Sequence, residues 1–128
     1  MLKRLAPLTS VVALTVLLTG CGSSPHKILY HVTNNCDQGR CWERAKASSI
    51  SYISGQGIAQ ATDVQLPWTF SFTSSGGGAV SLVAQNMDDT SSASITCEIW
   101  VDDEVFKTVT STGGYAVCTA AGLVPYLK

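Results

Sequence analysis

The chain has 128 residues, with eight basic and nine acidic side chains, a formal net charge of −1 and 13% charged residues against 45% hydrophobic. That length suits one domain. The near-neutral balance without a basic patch argues against nucleic acid as a partner, and the few charges among many Ser, Thr, Val and Gly residues suit an extracytoplasmic β-domain.

The N-terminus comes first. Lys3 and Arg4 precede an apolar stretch from Leu5 to Leu18. An apolar run of about 7–15 residues behind positive charge reads as the hydrophobic region of a secretory signal, and the run is short of the ~20 residues a membrane-spanning helix needs. It closes on Leu18-Thr19-Gly20-Cys21, which resembles the lipobox of bacterial lipoproteins. The resemblance implies that the Cys21 thiol takes a diacylglyceryl group and that residues 1–20 are cleaved, leaving Cys21 first. Two acyl chains hold where one is marginal, at ~0.8 kcal/mol per buried CH₂. The rival reading is a retained membrane anchor with an incidental cysteine. Residues 21–27 then form a lipidated tether that includes Gly22-Ser23-Ser24-Pro25, a flexible composition, and residues 28–128 form the folded domain. Loss of Lys3 and Arg4 leaves six basic against nine acidic side chains, a net charge of −3.

The folded part reads as strands. Ile28, Tyr30 and Val32 alternate with Leu29, His31 and Thr33 up to Asn34-Asn35. Ile50 and Tyr52 alternate with serines until Gly55 and Gly57. The clearest strand is Val64–Thr73, with Val64, Leu66, Trp68, Phe70 and Phe72 on one face. Pro67, which cannot donate to a ladder, marks an edge or a bulge there. After the Ser74–Gly78 turn come Val80, Leu82 and Ala84, then a polar loop from Met87 to Ser92. Ile95, Cys97, Ile99 and Val101 alternate with Thr96, Glu98 and Trp100. Asp102-Asp103 turns the chain into Val105–Thr110 as a hairpin, and Gly113-Gly114 leads into Tyr115–Thr119. About seven antiparallel strands and no helical periodicity beyond the signal predict an all-β fold, a β-sandwich.

With Cys21 set aside, Cys36, Cys41, Cys97 and Cys118 allow three pairings, and export favours disulfides. The local pairing joins Cys36 to Cys41 around Gly39, and Cys97 to Cys118. The latter would put Ala116 and Cys118 inside. A zinc site is disfavoured, because Cys97 and Cys118 lack the spacing of a second knuckle.

No catalytic constellation emerges. His26 falls in the tether and His31 on the first strand, both read as solvated or hydrogen-bonded. There is no G-x-S-x-G elbow, and Gly76-Gly77-Gly78 lacks the helix a phosphate site requires. Asp88-Asp89 and Asp102-Asp103-Glu104 lack calcium-loop spacing and read as solvated turns. The expectation is a binding protein without cofactor or metal, not an enzyme. Aromatic residues are the better clue. Trp100 lies opposite the Ile99 and Val101 face and is a candidate partner contact, unless it merely shields Glu98. Trp42, near Arg40, Glu43 and Arg44, is a second candidate, unless it packs on its own loop.

Four segments occur in a telling order: Leu66-Pro67-Trp68, Val83-Ala84-Gln85-Asn86, Cys97 to Glu104 (CEIWVDDE) and Ala116-Val117-Cys118. Over roughly Ile28 to Thr119 the chain is similar to the mycobacterial membrane protein small (MmpS) family. The resemblance implies a compact Ig-like β-sandwich with its late cysteine pair bonded. It also implies an accessory role beside large RND-type (MmpL) transporters that export lipids and siderophores. Family members usually hold themselves in the membrane by an uncleaved helix; here a lipid takes that place, and the CDQGRC loop is an addition. The expected function is therefore that of a lipid-anchored accessory protein on the extracytoplasmic face of the cell membrane. The alternative is a stand-alone envelope lipoprotein that binds or blocks another envelope component, as phage-encoded exclusion lipoproteins do. A lipid carrier would need an apolar cavity, whereas a filled core is expected.

Overall fold

The computed structural model describes residues 25–36 and 44–126. Eight strands follow in order: β1 His26–Asn34, β2 Lys46–Ser54, β3 Gly57–Gln65, β4 Trp68–Ser74, β5 Ala79–Asn86, β6 Ser94–Val101, β7 Glu104–Thr112 and β8 Val117–Leu123. They form two four-stranded antiparallel sheets, ordered β4-β1-β6-β7 and β3-β2-β5-β8. The described residues contain no helix, and the architecture is a β-sandwich.

Alternating side chains explain the layering. Ile28, Tyr30 and Val32 of β1 and Ile95, Cys97 and Ile99 of β6 point inward from the first sheet. Ile50, Val80, Leu82 and Ala84 meet them from the second, and all are buried. Strands with one buried and one solvated face show this period of two. The parity of β2 changes where a bulge between Ala47 and Ser49 adds a residue, so both Ala47 and Ile50 face the core.

The strand count rises from seven to eight in one place. The expected Val64–Thr73 strand is two strands in different sheets. β3 ends at Gln65 on the edge of the second sheet, and β4 starts at Trp68 on the edge of the first, across the cis Leu66–Pro67 bond. Pro67 thus sits between two edge strands, where its missing N–H costs no ladder bond. Leu66 is buried at this crossing and donates its N–H to the Ala45 carbonyl at 2.9 Å. The stretch from Gly57, read as the end of a strand, is instead β3, paired with β2 through a tight turn at Gly55-Gln56.

Two expectations about polar residues are corrected. His26 is not part of a solvated tether: β1 begins there, and the side chain is 1% exposed. It lies on the inward face shared by Ile28 and Tyr30, so the domain starts two residues before 28. Asp88 is not a solvated turn residue either. It is buried, and its Oδ1 accepts from Thr90 N–H at 3.0 Å and Thr90 Oγ1 at 2.9 Å. These local bonds replace the water that burial removes.

The two open sides of the sandwich close differently. On one, Trp68 and Phe70 of β4 pack on Tyr52 and Phe72 on Tyr30, with centroids 4.8–5.3 Å apart. On the other, the Cys97–Cys118 disulfide joins β6 to β8, and the Phe106 ring lies on Gly122. A Cβ at Gly122 would come within 2.8 Å of that ring. The registers also define two ends. His26 pairs with Ser74, Ala79 with Leu123 and Ser54 with Gly57, so the β2–β3, β4–β5 and β6–β7 turns and the end of β8 gather where the chain enters β1. Asn34, Lys46, Gln65, Asn86 and Thr112 mark the far end.

Candidate functional site

The outer face of the first sheet carries the candidate site. Leu29 and His31 of β1 point out from the strand whose other face holds Ile28, Tyr30 and Val32. Trp100 lies directly opposite Leu29 and Glu98 opposite His31, while Ser71 and Thr69 of β4 flank Leu29 and His31 on the other side. Cross-strand neighbours on one face are close enough to interact.

Glu98 organises this patch. Trp100 Nε1–H donates to Glu98 Oε2 at 3.1 Å, and His31 Nδ1 lies 3.5 Å from Glu98 Oε1. The carboxylate therefore draws the indole along its own strand and the imidazole across from β1. Both partners of Glu98, His31 and Trp100, lie on the same outer face. Trp100 thus both shields Glu98 and stays half-buried, with no further layer over it among the described residues. Leu29, His31, Thr69, Trp100 and Asp103 line a shallow groove of about 260 Å³. Its walls are an indole and a leucine with a few polar groups at the rim, a composition that suits recognition of a partner's side chain.

The groove is braced at its entrance-end border. Asp102 and Asp103 take φ values of 50° and 66°, the type I′ geometry of a two-residue hairpin, which Asp tolerates. That turn grips the start of β1. His26 Nδ1 lies 2.6 Å from Asp102 Oδ2, Lys27 N–H donates to Asp102 Oδ1 at 3.0 Å, and Asp102 N–H donates to the Lys27 carbonyl at 2.9 Å. Lys27 Nζ reaches Asp103 Oδ1 at 3.1 Å. His26 Nε2 is buried, with no hydrogen-bond partner among the described residues. This clamp was missed from sequence, although the parity Ile28-Tyr30-Val32, carried back two residues, lands on His26.

Of the other residues singled out from sequence, Cys21, Cys41 and Trp42 lie outside the described residues. Cys36 is disulfide-bonded and almost fully buried, with Sγ 3.5 Å from Asp88 Oδ2. Cys97 and Cys118 are bonded to each other and fully buried, with Cα atoms 5.7 Å apart. As that pairing requires, Cys118 faces inward and Ala116 packs against the core. Among the described residues no group of three or more His, Cys, Asp or Glu is placed to hold a metal ion.

Two buried polar groups also escaped the sequence reading. Asn86, fully buried, donates from Nδ2 to the Ser94 carbonyl at 3.2 Å and accepts at Oδ1 from Asn34 Nδ2 at 3.1 Å and from Asp88 N–H at 3.3 Å. Tyr30 links the sheets. Its hydroxyl donates to the Ile53 carbonyl of β2 at 2.6 Å and accepts from Ser81 N–H of β5 at 3.3 Å.

The four sequence segments fall on structurally demanding places. Leu66-Pro67-Trp68 is the crossing between sheets, and Val83–Asn86 ends β5 on the buried asparagine. Cys97–Glu104 spans the bridged half of β6 and its type I′ turn, and Ala116–Cys118 opens β8 on the partner cysteine. No curated protein matches the chain. The profile of the Mycobacterium membrane protein family matches residues 23–122, a span that includes β1 to β7 and all of β8 except Leu123. The chain belongs to that family, the MmpS family.

Proposed function

We propose that this is an envelope accessory protein, moored outside the cytoplasm by lipid on Cys21, whose sandwich binds an MmpL-type exporter of lipids or siderophores through the outer face of the first sheet. The family match carries the reading of an accessory membrane protein. The Leu18–Cys21 lipobox supports the mode of anchoring, and the Leu29–Trp100 groove supplies a surface suited to a partner. The reading is of a binder and not an enzyme. His26 is buried against Asp102, and His31 is turned toward Glu98, so both imidazoles are engaged by carboxylates.

Site-specific photocrosslinking in the native envelope tests this. A photoreactive residue replacing Thr69, in the groove wall, is expected to capture the exporter. The same residue replacing Thr119, on the outer face of the second sheet, should not. Capture of a different envelope protein from position 69, with no exporter adduct, would overturn the exporter partnership in favour of a stand-alone lipoprotein.

A further inference from the structure

The second sheet has an outer face of a different character. Its four strands contain two charged residues, Lys46 and Asp63, and these pair at 3.5 Å at the far end. Toward the end where the chain enters β1, the outward side chains become apolar and protrude. Ile58 is 85% exposed, Leu123 66% and Tyr126 73%. Ile58 stands opposite Ile53, and Leu123 opposite Ala79. Tyr126 sits on Gly77 of the β4–β5 turn, with its hydroxyl where a Cβ at Gly77 would go. Ile58 on β3 and Leu123 on β8 stand at opposite edges of the sheet, so the apolar side chains mark the rim of this end, and exposed apolar groups gathered at one end call for an occupant.

The chain's own geometry identifies one. Four residues lie between Cys21 and His26, five steps along the chain with a reach of ~18 Å at most at ~3.3–3.6 Å per step. There is no further slack at the domain boundary, because the Asp102 side chain and backbone hold His26 and Lys27. The nine residues of β1 rise about 30 Å from that point. A chain held to the bilayer at Cys21 therefore keeps the entry end near the lipid and sends the far end, with Lys46, Asp63 and the Asn86–Ala93 loop, outward. Ile58, Leu123 and Tyr126 all lie at the entry end.

We infer that the entry end of the sandwich seats on the membrane surface through the rim that carries Ile58, Leu123 and Tyr126, fixing the orientation of the domain. This rests on the anchoring reading above. It commits to lipid and not protein as the occupant, because the short reach from Cys21 brings this rim to the bilayer whichever protein binds elsewhere. Asp102, Asp103 and Glu104 are carried at the same end by the first sheet, so the domain tilts with the entry end of the second sheet, which lacks charged strand residues, toward the lipid and its acidic turn away. The Trp100 groove, on the opposite face, is thereby turned away from the lipid and left open to a partner.

Methyl-labelled Ile, Leu and Val in the lipidated protein, reconstituted in nanodiscs that contain a spin-labelled lipid, test the inference. The expected result is co-elution with the nanodiscs and loss of signal at the Ile58 and Leu123 methyls, with the signal retained at Val117 on the far end of the same face. Ile58→Ser combined with Leu123→Ser changes two exposed positions and should leave the fold and co-elution intact, while the broadening at Ile53 falls to the level of Val117. Co-elution with equal broadening at residues 58 and 117 would overturn the seating and leave the anchor standing. Failure to co-elute would overturn both.

Discussion

Tyr30→Phe isolates one oxygen that ties the two sheets together. Tyr30 is the largest fully buried side chain among the described residues. Its ring is held by Tyr52 and Phe72 at centroid distances of 6.0 and 5.3 Å, contacts that phenylalanine preserves. The hydroxyl alone is lost, leaving the Ile53 carbonyl without its donor and Ser81 N–H without its acceptor. At neutral pH this should cost about 1–3 kcal/mol. The alkaline limb is more diagnostic. Burial pushes the Tyr30 phenol up to about 12, opposed by the Ser81 N–H bond, whereas an unfolded tyrosine ionises near ~10. Between these values the unfolded chain has released a proton that the folded one keeps, so stability falls as pH rises. Two units at ~1.4 kcal/mol each amount to about 2.7 kcal/mol lost by pH 12. The variant lacks this loss, so its stability curve should converge on the parent's between pH 10 and 12. Urea unfolding followed by tryptophan fluorescence, with disulfides intact, measures both. Parallel curves from pH 9 to 12, or an absorbance titration showing every tyrosine ionising near 10, would refute the buried hydroxyl staple.

Other perturbations probe separate parts of the fold. Replacing Cys97 and Cys118 together with alanine should cost about 3 kcal/mol in denaturant unfolding, from the closed loop of 21-residue separation alone. Asn86→Ala removes a fully buried amide, taking one of two donors from the Ser94 carbonyl and the acceptor from Asp88 N–H; a loss of about 2–3 kcal/mol is expected by thermal or urea unfolding. Trp100→Ala should leave stability within about 1 kcal/mol of the parent because the side chain faces outward. It should weaken exporter binding by about 30-fold, or ~2 kcal/mol, as read by titration of the purified partner; unchanged binding would remove the groove from the interface.

Much of this fold is visible in the sequence where one face is apolar and the other is not. Val80-Leu82-Ala84 and Ile95-Cys97-Ile99-Val101 give β5 and β6 directly, and Asp102-Asp103 gives their next hairpin. β3 is invisible for a physical reason. It is an edge strand whose inward positions include the small Ala59 and Ala61 and whose bulkiest apolar residue, Ile58, points outward, so hydrophobic contrast is absent. The crossing at Leu66-Pro67 is hidden because Leu66, Trp68, Phe70 and Phe72 keep their inward parity through it. In the candidate site, Trp100 and Glu98 are two residues apart and their kinship is readable. Their contacts with Leu29 and His31 depend on the pairing of β1 with β6, which local periodicity does not encode. The placement of His26 in a tether and of Asp88 in a solvated turn fails because both lie beside turn-forming residues, where polar side chains are ordinarily solvated; long-range contact with Asp102 and local bonds to Thr90 withdraw them from water.

Anchoring and orientation both depend on where the mature chain begins and what its first residue carries. Intact-mass measurement of the protein extracted from membranes tests this directly. A chain starting at Cys21, with residues 1–20 gone and the mass of a diacylglyceryl group added, is the predicted result; a mass that retains Met1 and no lipid would contradict it.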